Sequence, residues 1–367
     1  MSLEPLVRRG VRDVTPYLPG QPIEEVQREL GLRRVVKLAS NENALGPSRK
    51  ALAALRQGLR DVHRYPDGSG YYLKRQLAMR HQVTPESLIL GNGSDEIFTL
   101  AVRTFVNEGD EVIVAKPTFL IYEIAARLAH ASVITVPLTN ELRYDLPAIR
   151  SVVSLKTKLI FIANPDNPTG TYVTEQEVAT FMLGLPPHVI VVFDEAYFEY
   201  VEAIDYPDTR KFLHANHVII TRTFSKAYGL AGLRIGYGVA QPDLIAWMER
   251  VREPFNVNTL AQRAALAALD DQEHLRRTHA LARDGKHYLA RHCERLGVIC
   301  VPSQTNFLLM EVGPHAGAVA EQLLHRGVIV RDMHAWGLDH YLRVTVGLPK
   351  ENKVFVKQLK RVLRKLR

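Results

Sequence analysis

The sequence predicts an α/β fold, with a large and mostly parallel sheet covered by helices and a smaller α+β domain after it. Short apolar runs alternate with helical patterns between residues 87 and 222. The run at residues 189–193 is apolar throughout, and such strands separated by helices are typical of a parallel sheet buried on both faces. After Gly236 the alternation gives way to long helical patterns. A chain of 367 residues is also too long for one simple core, so we expect more than one domain.

The predicted elements of the large domain follow one another in a regular order. Strands are predicted at residues 87–90, 111–115, 132–137, 159–163, 189–193 and 217–222. Helices are predicted at residues 49–60, 71–81, 97–106, 120–129, 146–153, 175–183 and 241–251. Ser48 is a suitable N-cap for the first of these helices. We therefore place the large domain over residues 46–255.

The chain on either side of the large domain has a different character. Residues 1–45 are rich in Pro, Arg and Gly, with one helical segment at 23–30, and we expect them to form an arm that packs with the small domain. The small C-terminal domain is placed over residues 256–367. Its predicted helices lie at 260–269, 272–296 and 318–326, and its strands at 298–301, 306–311, 328–331 and 341–346.

Composition and charge argue against several classes of protein. No apolar run is long enough to span a membrane, and residues 1–20 lack the apolar core of a secretory signal. The two cysteines, Cys293 and Cys300, argue for a reducing, cytoplasmic compartment rather than a disulfide framework. No histidine or cysteine cluster has metal-ligand spacing. The net charge of +8 is spread out, apart from an amphipathic helix at 357–367, and no nucleic-acid-binding motif accompanies it.

Several polar residues follow directly after predicted strands. In a parallel sheet, ligands bind beyond the carboxyl ends of the strands, so these residues are expected to converge at one edge. Residues 91–96 pass from a strand through two glycines into a helix, an arrangement that presents backbone N–H groups to an anion. The residues expected at this edge are Gly93, Ser94, Asp95, Phe119, Asn167, Asp194, Tyr197 and Lys226.

Lys226 stands alone among small residues, with Ser225 before it and Arg234 eight positions after it. A lysine held in a tight, partly dry pocket has a lowered pKa and becomes a nucleophilic amine. Such an amine forms a Schiff base with an aldehyde, and pyridoxal phosphate is the commonest biological aldehyde of this kind. A solvated lysine in a surface loop is the alternative interpretation, and the segment alone does not decide between the two.

Pyridoxal phosphate has chemical requirements that the other strand-end residues meet. A buried carboxylate keeps its pyridine nitrogen protonated, and Asp194 follows the most apolar strand. Its phenolic oxygen needs hydrogen-bond donors, for which Asn167 and Tyr197 are candidates, and its ring can stack on Phe119. Its phosphate needs N–H groups and a cation. The candidates for this phosphate site are Gly93, Ser94, Asp95, Ser225 and Arg234.

These motifs resemble the class I/II aminotransferases of PLP fold type I, and the resemblance covers nearly the whole chain. The matching motifs are Thr15-Pro16-Tyr17 and residues 37–43, 64–67, 91–96, 164–170, 194–197, 225–234 and 342–347. The segments at 41–43, 65–67 and 327–332 are similar to the members of the family that act on histidinol phosphate. The resemblance therefore implies pyridoxal phosphate as cofactor and transamination between L-histidinol phosphate and 2-oxoglutarate in histidine biosynthesis. Asp166 departs from the asparagine that the family often has, but it is not itself a cofactor residue.

The resemblance also implies a homodimer whose active sites lie at the subunit interface. Tyr65 would then reach the phosphate of the cofactor bound by the partner subunit. Arg343 would hold the α-carboxylate of glutamate through a salt-bridged fork. Arg331 and Tyr17 would hold the phosphate of the second substrate, and Asn41 belongs to the same substrate-binding group.

Other activities on the same scaffold stay open at this point. An aromatic-amino-acid aminotransferase and a decarboxylase of threonine phosphate would use the same cofactor residues. A regulator that binds pyridoxal phosphate without turnover is a rival of a different class. It would need an attached DNA-binding module, and the arm of about 45 residues is too short and too rich in proline to hold one.

Overall fold

The computed structural model describes residues 3–12, 14–17, 19–215 and 217–366. Met1, Ser2, Asp13, Leu18, Asn216 and Arg367 lie outside the described residues, so parts of the predicted arm and of the predicted terminal helix do too. None of the described helices is long and apolar enough to cross a bilayer.

The structure alternates strands and helices through most of the chain. The strands are β1 (Val36–Lys37), β2 (Leu88–Gly91), β3 (Glu111–Lys116), β4 (Ser132–Pro137), β5 (Thr157–Ala163), β6 (Ile190–Asp194), β7 (Val218–Thr223), β8 (Gly236–Ala240), β9 (Ile299–Cys300), β10 (Phe307–Glu311), β11 (Val328–Ile329), β12 (Arg331–Asp332) and β13 (Tyr341–Thr345). The α-helices are α1 (Arg9–Arg12), α2 (Ile23–Leu30), α3 (Arg49–Gly58), α4 (Tyr71–His81), α5 (Ser94–Phe105), α6 (Ile121–Leu128), α7 (Leu146–Ser151), α8 (Glu175–Leu183), α9 (Pro242–Glu249), α10 (Thr259–Leu269), α11 (Gln272–Glu294), α12 (Ala316–Leu324) and α13 (Pro349–Leu366). Short 3-10 helices lie at Glu4–Leu6, Leu59–Asp61, Pro85–Ser87, Phe198–Tyr200, Thr209–Phe212, Ala231–Leu233 and His334–Trp336.

The large sheet has the strand order β2-β8-β7-β6-β5-β3-β4. Its neighbouring strands from β7 to β4 are parallel, whereas β8 runs antiparallel to both β2 and β7. The predicted α/β class with a mostly parallel sheet is therefore confirmed. Because the parallel strands end at one edge, the residues that follow them are brought together there.

Strand β8 was not expected, because the sequence prediction places the end of the alternation at Gly236. Its segment contains Gly236 and Gly238, and glycine is depleted in strands. Both glycines are required by close packing: a side chain at Gly236 would crowd the backbone of Ser94, and one at Gly238 would press on Ile89 and Ile97. The strand can therefore join the sheet because glycine fits where the neighbouring residues leave no room for a side chain.

Two further predictions need correction. The helix expected at 97–106 begins at Ser94, because Gly93 with φ of 85° ends the preceding turn and lets the helix start directly after it. The single strand expected at 328–331 is two short strands: β11 pairs with β1, and β12 pairs with β13. A break at residue 330 therefore sends the two halves into different sheets.

The C-terminal part of the chain forms a second, antiparallel sheet. Its strand order is β12-β13-β10-β9, and the separate parallel pair β1-β11 joins the N-terminal region to it. A hydrophobic cluster that includes Leu38, Leu308, Val344 and Phe355 fills the space under α11, α12 and α13. The larger cluster covers both faces of the seven-stranded sheet and extends to α10. The division at residues 45 and 255 stays a prediction.

Candidate active site

A cavity of about 240 Å³ lies at the carboxyl edge of the large sheet. Residues at or just after the ends of β3, β5, β6 and β7 line it, together with the start of α5. The predicted site residues among its lining are Tyr17, Asn41, Ser94, Asp95, Phe119, Asn167, Asp194, Tyr197, Ser225, Lys226, Arg234, Arg331 and Arg343. Residues separated by up to about 330 positions in sequence thus meet in one place, as the strand-end argument requires.

Lys226 presents its amine to this cavity. The Nζ atom makes no hydrogen bond to any residue that the structure describes, and it lies 5.7 Å from the centre of the Tyr197 ring. Burial, together with the nearby guanidinium of Arg343, lowers the pKa of Lys226 to about 8. A substantial fraction of the amine is therefore neutral near physiological pH, which is the form that attacks a carbonyl carbon.

Asp194, the last residue of β6, is buried at the base of the cavity. The phenolic hydroxyl of Tyr122 donates to its Oδ2, and the backbone N–H of Ala196 donates to its Oδ1 at 3.0 Å. Burial raises the pKa of Asp194 to about 6 despite these hydrogen bonds. The sequence prediction missed Tyr122, because nothing in its local pattern distinguishes it from any other apolar position on α6.

One end of the cavity is suited to an anion. Ser94 is the first residue of α5, where unpaired backbone N–H groups and the helix dipole face the cavity. Arg234 donates from Nη1 to Ser225 Oγ at 3.2 Å and from Nη2 to Asp95 Oδ2 at 3.4 Å. Gly93 does not line the cavity, but a side chain there would collide with the Arg234 guanidinium. Burial raises the pKa of Asp95.

A chain of hydrogen bonds orients the hydroxyl of Tyr197. Thr345 Oγ1 donates to Asn41 Oδ1 at 3.0 Å, and Asn41 Nδ2 donates to Tyr197 Oη at 2.9 Å. Because the Tyr197 oxygen accepts from Asn41, its own proton is available to a group in the cavity. The polar atoms of the Asn41 side chain are thus engaged by the protein, and its contact with substrate stays a prediction.

Arg343 is buried and also lines the cavity. Its Nη1 donates to Asn167 Oδ1, and its Nη2 donates to Ala39 O at 2.9 Å. Accepting through Oδ1 leaves the Nδ2 amide group of Asn167 as a donor. The Nε atom of Arg343 has no hydrogen-bond partner among the described residues although it is buried. An orphaned buried donor of this kind indicates a site that an anionic ligand completes.

Arg331 and Tyr17 lie beside Arg343 in the lining of the cavity. The Arg331 guanidinium is 5.8 Å from the centre of the Tyr17 ring and 5.0 Å from that of Trp336. The Trp336 Nε1 in turn donates to Thr118 O at 3.0 Å, which fixes the indole. Two guanidinium groups besides that of Arg234 therefore line the cavity.

Phe119 also lines the cavity, and its ring packs edge-on against Tyr122 at 5.6 Å between ring centres. Tyr65, in contrast, lies outside the cavity. It is 83% exposed and stacks on Phe255 with 4.8 Å between ring centres. Asp166 is buried and does not line the cavity. Its carboxylate accepts hydrogen bonds from Thr118 and Thr169 instead.

The set of donors fits the cofactor that the sequence predicts. The cavity offers one amine for an aldehyde, one buried carboxylate for a ring nitrogen and two donors for a phenolic oxygen. Its anion end offers helix N–H groups, a hydroxyl group and a guanidinium for a phosphate. No group of three or more histidine, cysteine or acidic side chains among the described residues could hold a metal ion.

Comparison with known proteins agrees with this geometry. Residues 33–359 match the family model of class I and II aminotransferases. A histidinol-phosphate aminotransferase of Moorella thermoacetica is 48% identical over 98% of this chain and 93% of its own length. One from an Anaeromyxobacter species is 47% identical over 98% of this chain and 99% of its own. The crystal structure of histidinol-phosphate aminotransferase from Sinorhizobium meliloti in complex with pyridoxal-5'-phosphate superposes with a TM-score of 0.91, at 28% identity over 98% of each chain. The chain belongs to the class I and II aminotransferase family.

Proposed function

We propose that the protein transfers an amino group between L-histidinol phosphate and 2-oxoglutarate, giving imidazole-acetol phosphate and glutamate, as a step of histidine biosynthesis. The observation that carries this proposal is the position of the Lys226 amine. It faces a cavity that is also lined by a buried carboxylate, by the anion site at the start of α5 and by the guanidinium groups of Arg331 and Arg343. The names of the two relatives described above agree with it.

The cofactor residues have distinct tasks in this proposal. Pyridoxal phosphate, when bound, supplies an aldehyde that links to amines and a ring that withdraws electrons from the neighbouring carbon. Asp194 holds a proton on the ring nitrogen, while Asn167 Nδ2 and Tyr197 Oη donate to the phenolic oxygen. Phe119 packs against the ring face. A further set of residues holds the phosphate: Gly93, Ser94, Asp95, Ser225 and Arg234.

Lys226 acts as the proton carrier. With an amino-group donor in the site, the free Nζ would take the proton from the substrate Cα. The same Nζ would then release that proton on the cofactor side, so one atom would serve as both base and acid. A pKa near 8 suits an atom that must both accept and release a proton near neutral pH.

The two arginines serve two different substrates. Glutamate carries an α-carboxylate, for which Arg343 offers a planar fork of N–H donors including the unpaired Nε. Histidinol phosphate lacks that carboxylate but carries a phosphate, which Arg331 and Tyr17 are placed to hold. Because the substrates occupy the site in turn, the kinetics are expected to be ping-pong.

We also propose that the chain works as a homodimer with shared active sites. Several large apolar side chains are exposed on the side of Tyr65, which is more typical of a subunit interface than of a free surface. They are Leu59, Val62, Tyr65, Tyr71, Tyr72 and Phe255. Tyr65 would then add its hydroxyl to the phosphate site of the partner subunit. The expected result is a dimer by light scattering, and weaker cofactor binding by Tyr65→Phe than by the control Tyr72→Phe, since Tyr72 is also largely exposed.

Two related activities compete with this proposal. An aromatic-amino-acid aminotransferase and a threonine-phosphate decarboxylase would both use Lys226 and Asp194 in the same way. A parallel assay of histidinol phosphate, phenylalanine, tyrosine and threonine phosphate, each with 2-oxoglutarate, separates them. We expect the largest kcat/KM for histidinol phosphate and no release of carbon dioxide from threonine phosphate. A larger kcat/KM for phenylalanine or tyrosine would move the assignment to the aromatic class.

The cofactor itself has a direct spectroscopic test. Titration of the cofactor-free protein with pyridoxal phosphate is expected to produce a visible absorption band that Lys226→Ala lacks. Lys286→Ala is a matched control, since Lys286 is also buried but donates to Ser303 O at 2.7 Å outside the cavity. A band that survives in Lys226→Ala would remove the central residue from the proposal.

A further inference from the structure

Arg222 lies directly behind the candidate active site, on the other face of the sheet. It is the residue before Thr223 on β7, and successive side chains of a strand point to opposite faces. Thr223 lines the cavity and Arg222 does not. The Arg222 side chain is 11% exposed, so it is a nearly buried cation that the reaction as proposed above does not use.

The guanidinium of Arg222 holds a buried carboxylate. Its Nε donates to Glu195 Oε2 at 2.9 Å and its Nη2 lies 2.8 Å from the same oxygen. The other oxygen, Oε1, accepts from Thr209 Oγ1, and the Glu195 side chain is 1% exposed. The backbone N–H of Glu195 also donates to Thr221 O at 2.9 Å, which joins the ends of β6 and β7. Both charges are therefore compensated and fixed in orientation.

The same guanidinium packs on an aromatic ring. Its Cζ lies 3.4 Å from the centre of the Phe198 ring. Phe198 directly follows Tyr197, and Glu195 directly follows Asp194. Arg222 itself precedes Lys226 by four residues. Arg222 thus contacts the residues that directly follow Asp194 and Tyr197. It also belongs to β7, the strand that leads to Lys226.

We propose that Arg222 is a positioning residue for the reaction. From the face of the sheet opposite the cavity, it fixes the segments that carry Asp194, Tyr197 and Lys226 relative to one another. This inference rests on the proposed function, because it concerns how those three side chains meet the cofactor. Arginine is required because its planar fork binds a carboxylate through two N–H groups while its face packs on an aromatic ring. A lysine keeps the charge but provides neither the fork nor the flat face.

Arg222→Lys is the variant that tests this positioning role. Small displacements of catalytic groups cost large factors in rate, so we expect kcat to fall by about tenfold or more while KM for both substrates stays within about twofold. The circular dichroism of the cofactor's visible band, which reports how the ring is oriented, is expected to weaken. Arg143→Lys is the matched control. Arg143 also forms an ion pair, with 2.6 Å between its Nη2 and Glu177 Oε2, but neither residue lines the cavity. This control should leave kcat and the visible band unchanged.

A second readout needs no cofactor and no turnover. Hydrogen exchange at the Glu195 amide in the cofactor-free protein is expected to be faster in Arg222→Lys than in the wild type. If Arg222→Lys does not fold, Phe198→Leu decides instead, since it removes the flat packing surface and keeps the ion pair; it should also weaken the visible dichroism.

The outcomes are distinguishable. A variant with a lower melting temperature but unchanged kcat, dichroism and Glu195 exchange would show that Arg222 is only structural, which overturns the inference. Absence of a visible band or of transamination in the wild type would instead refute the proposed function. In that case amide exchange still decides whether Arg222 fixes β6 relative to β7.

Discussion

Replacing Asp194 by asparagine is expected to stabilise the cofactor-free protein while it removes most of the activity. Burial raises the pKa of this carboxyl group from 3.8 to about 6. The folded protein therefore favours the protonated form, and the stability associated with that proton is present at low pH and lost as the pH rises through about 6. Each unit of pKa corresponds to ~1.4 kcal/mol, so the ionised carboxylate lowers the free energy of unfolding by ~3 kcal/mol at pH 8.

Asparagine has nearly the same shape and avoids this cost. Its Oδ1 can still accept from the Tyr122 hydroxyl, but its Nδ2 cannot accept from the Ala196 N–H, so one of the two hydrogen bonds of the carboxylate is lost. Losing one hydrogen bond costs about 1 kcal/mol. Urea unfolding of both cofactor-free proteins should therefore show Asp194→Asn to be more stable by up to ~2 kcal/mol at pH 8, and by less than ~1 kcal/mol at pH 5. The activity should fall because a neutral amide does not hold a proton on the cofactor's ring nitrogen.

The pH dependence is what makes this test sharp. Asp194→Asn that is less stable than the wild type at pH 8 would contradict the reasoning. So would a difference in the free energy of unfolding that does not shrink from pH 8 to pH 5. Added pyridoxal phosphate should reverse the order, since it stabilises only the form that binds it well, in proportion to its affinity.

Three further changes test other parts of the structure. Gly93→Ala should weaken cofactor binding by about tenfold or more in a fluorescence titration, because Gly93 has φ of 85° and a side chain there meets Arg234; unchanged affinity would refute the close packing. Arg343→Lys should raise KM for glutamate by about tenfold or more in steady-state kinetics and leave KM for histidinol phosphate nearly unchanged, because only glutamate needs the fork; equal increases would count against separate binding groups. Burial raises the pKa of Glu199 from 4.5 to about 7, so the wild type loses stability as the pH rises through that range. In urea unfolding at pH 8, Glu199→Gln should therefore be more stable than the cofactor-free wild type by up to ~3 kcal/mol. A pH-independent difference would exclude Glu199 as the titrating group.

Much of the fold could be predicted because the signals are local. The apolar run of β6 and the amphipathic spacing on α3 and α6 depend only on nearby residues, and the strand-end rule then placed Asp194 and Lys226 at one edge. Strand β8 escaped prediction because its two glycines are dictated by neighbours from β2 and α5, which are far away in sequence. The break between β11 and β12 likewise depends on which sheet each half joins.

In the candidate site, too, some features could be predicted from the sequence and others could not. The types and order of residues such as Lys226 and Asp194 could be predicted, because the chemistry of the cofactor requires them. The contacts that orient them could not, since Tyr122 on Asp194 and Asn167 on Arg343 are joined across large sequence separations. Tyr65 lies outside the cavity of its own chain, so no contact within one subunit tests its predicted role.

The most direct test of the proposed function is the formation of glutamate from L-histidinol phosphate and 2-oxoglutarate by the purified protein, compared with Lys226→Ala. We expect steady turnover by the wild type in the presence of pyridoxal phosphate, and none by Lys226→Ala under the same conditions. Turnover that persists in Lys226→Ala would contradict the role of the amine. A wild type that binds the cofactor through Lys226 but forms no glutamate from histidinol phosphate would contradict the proposed substrate.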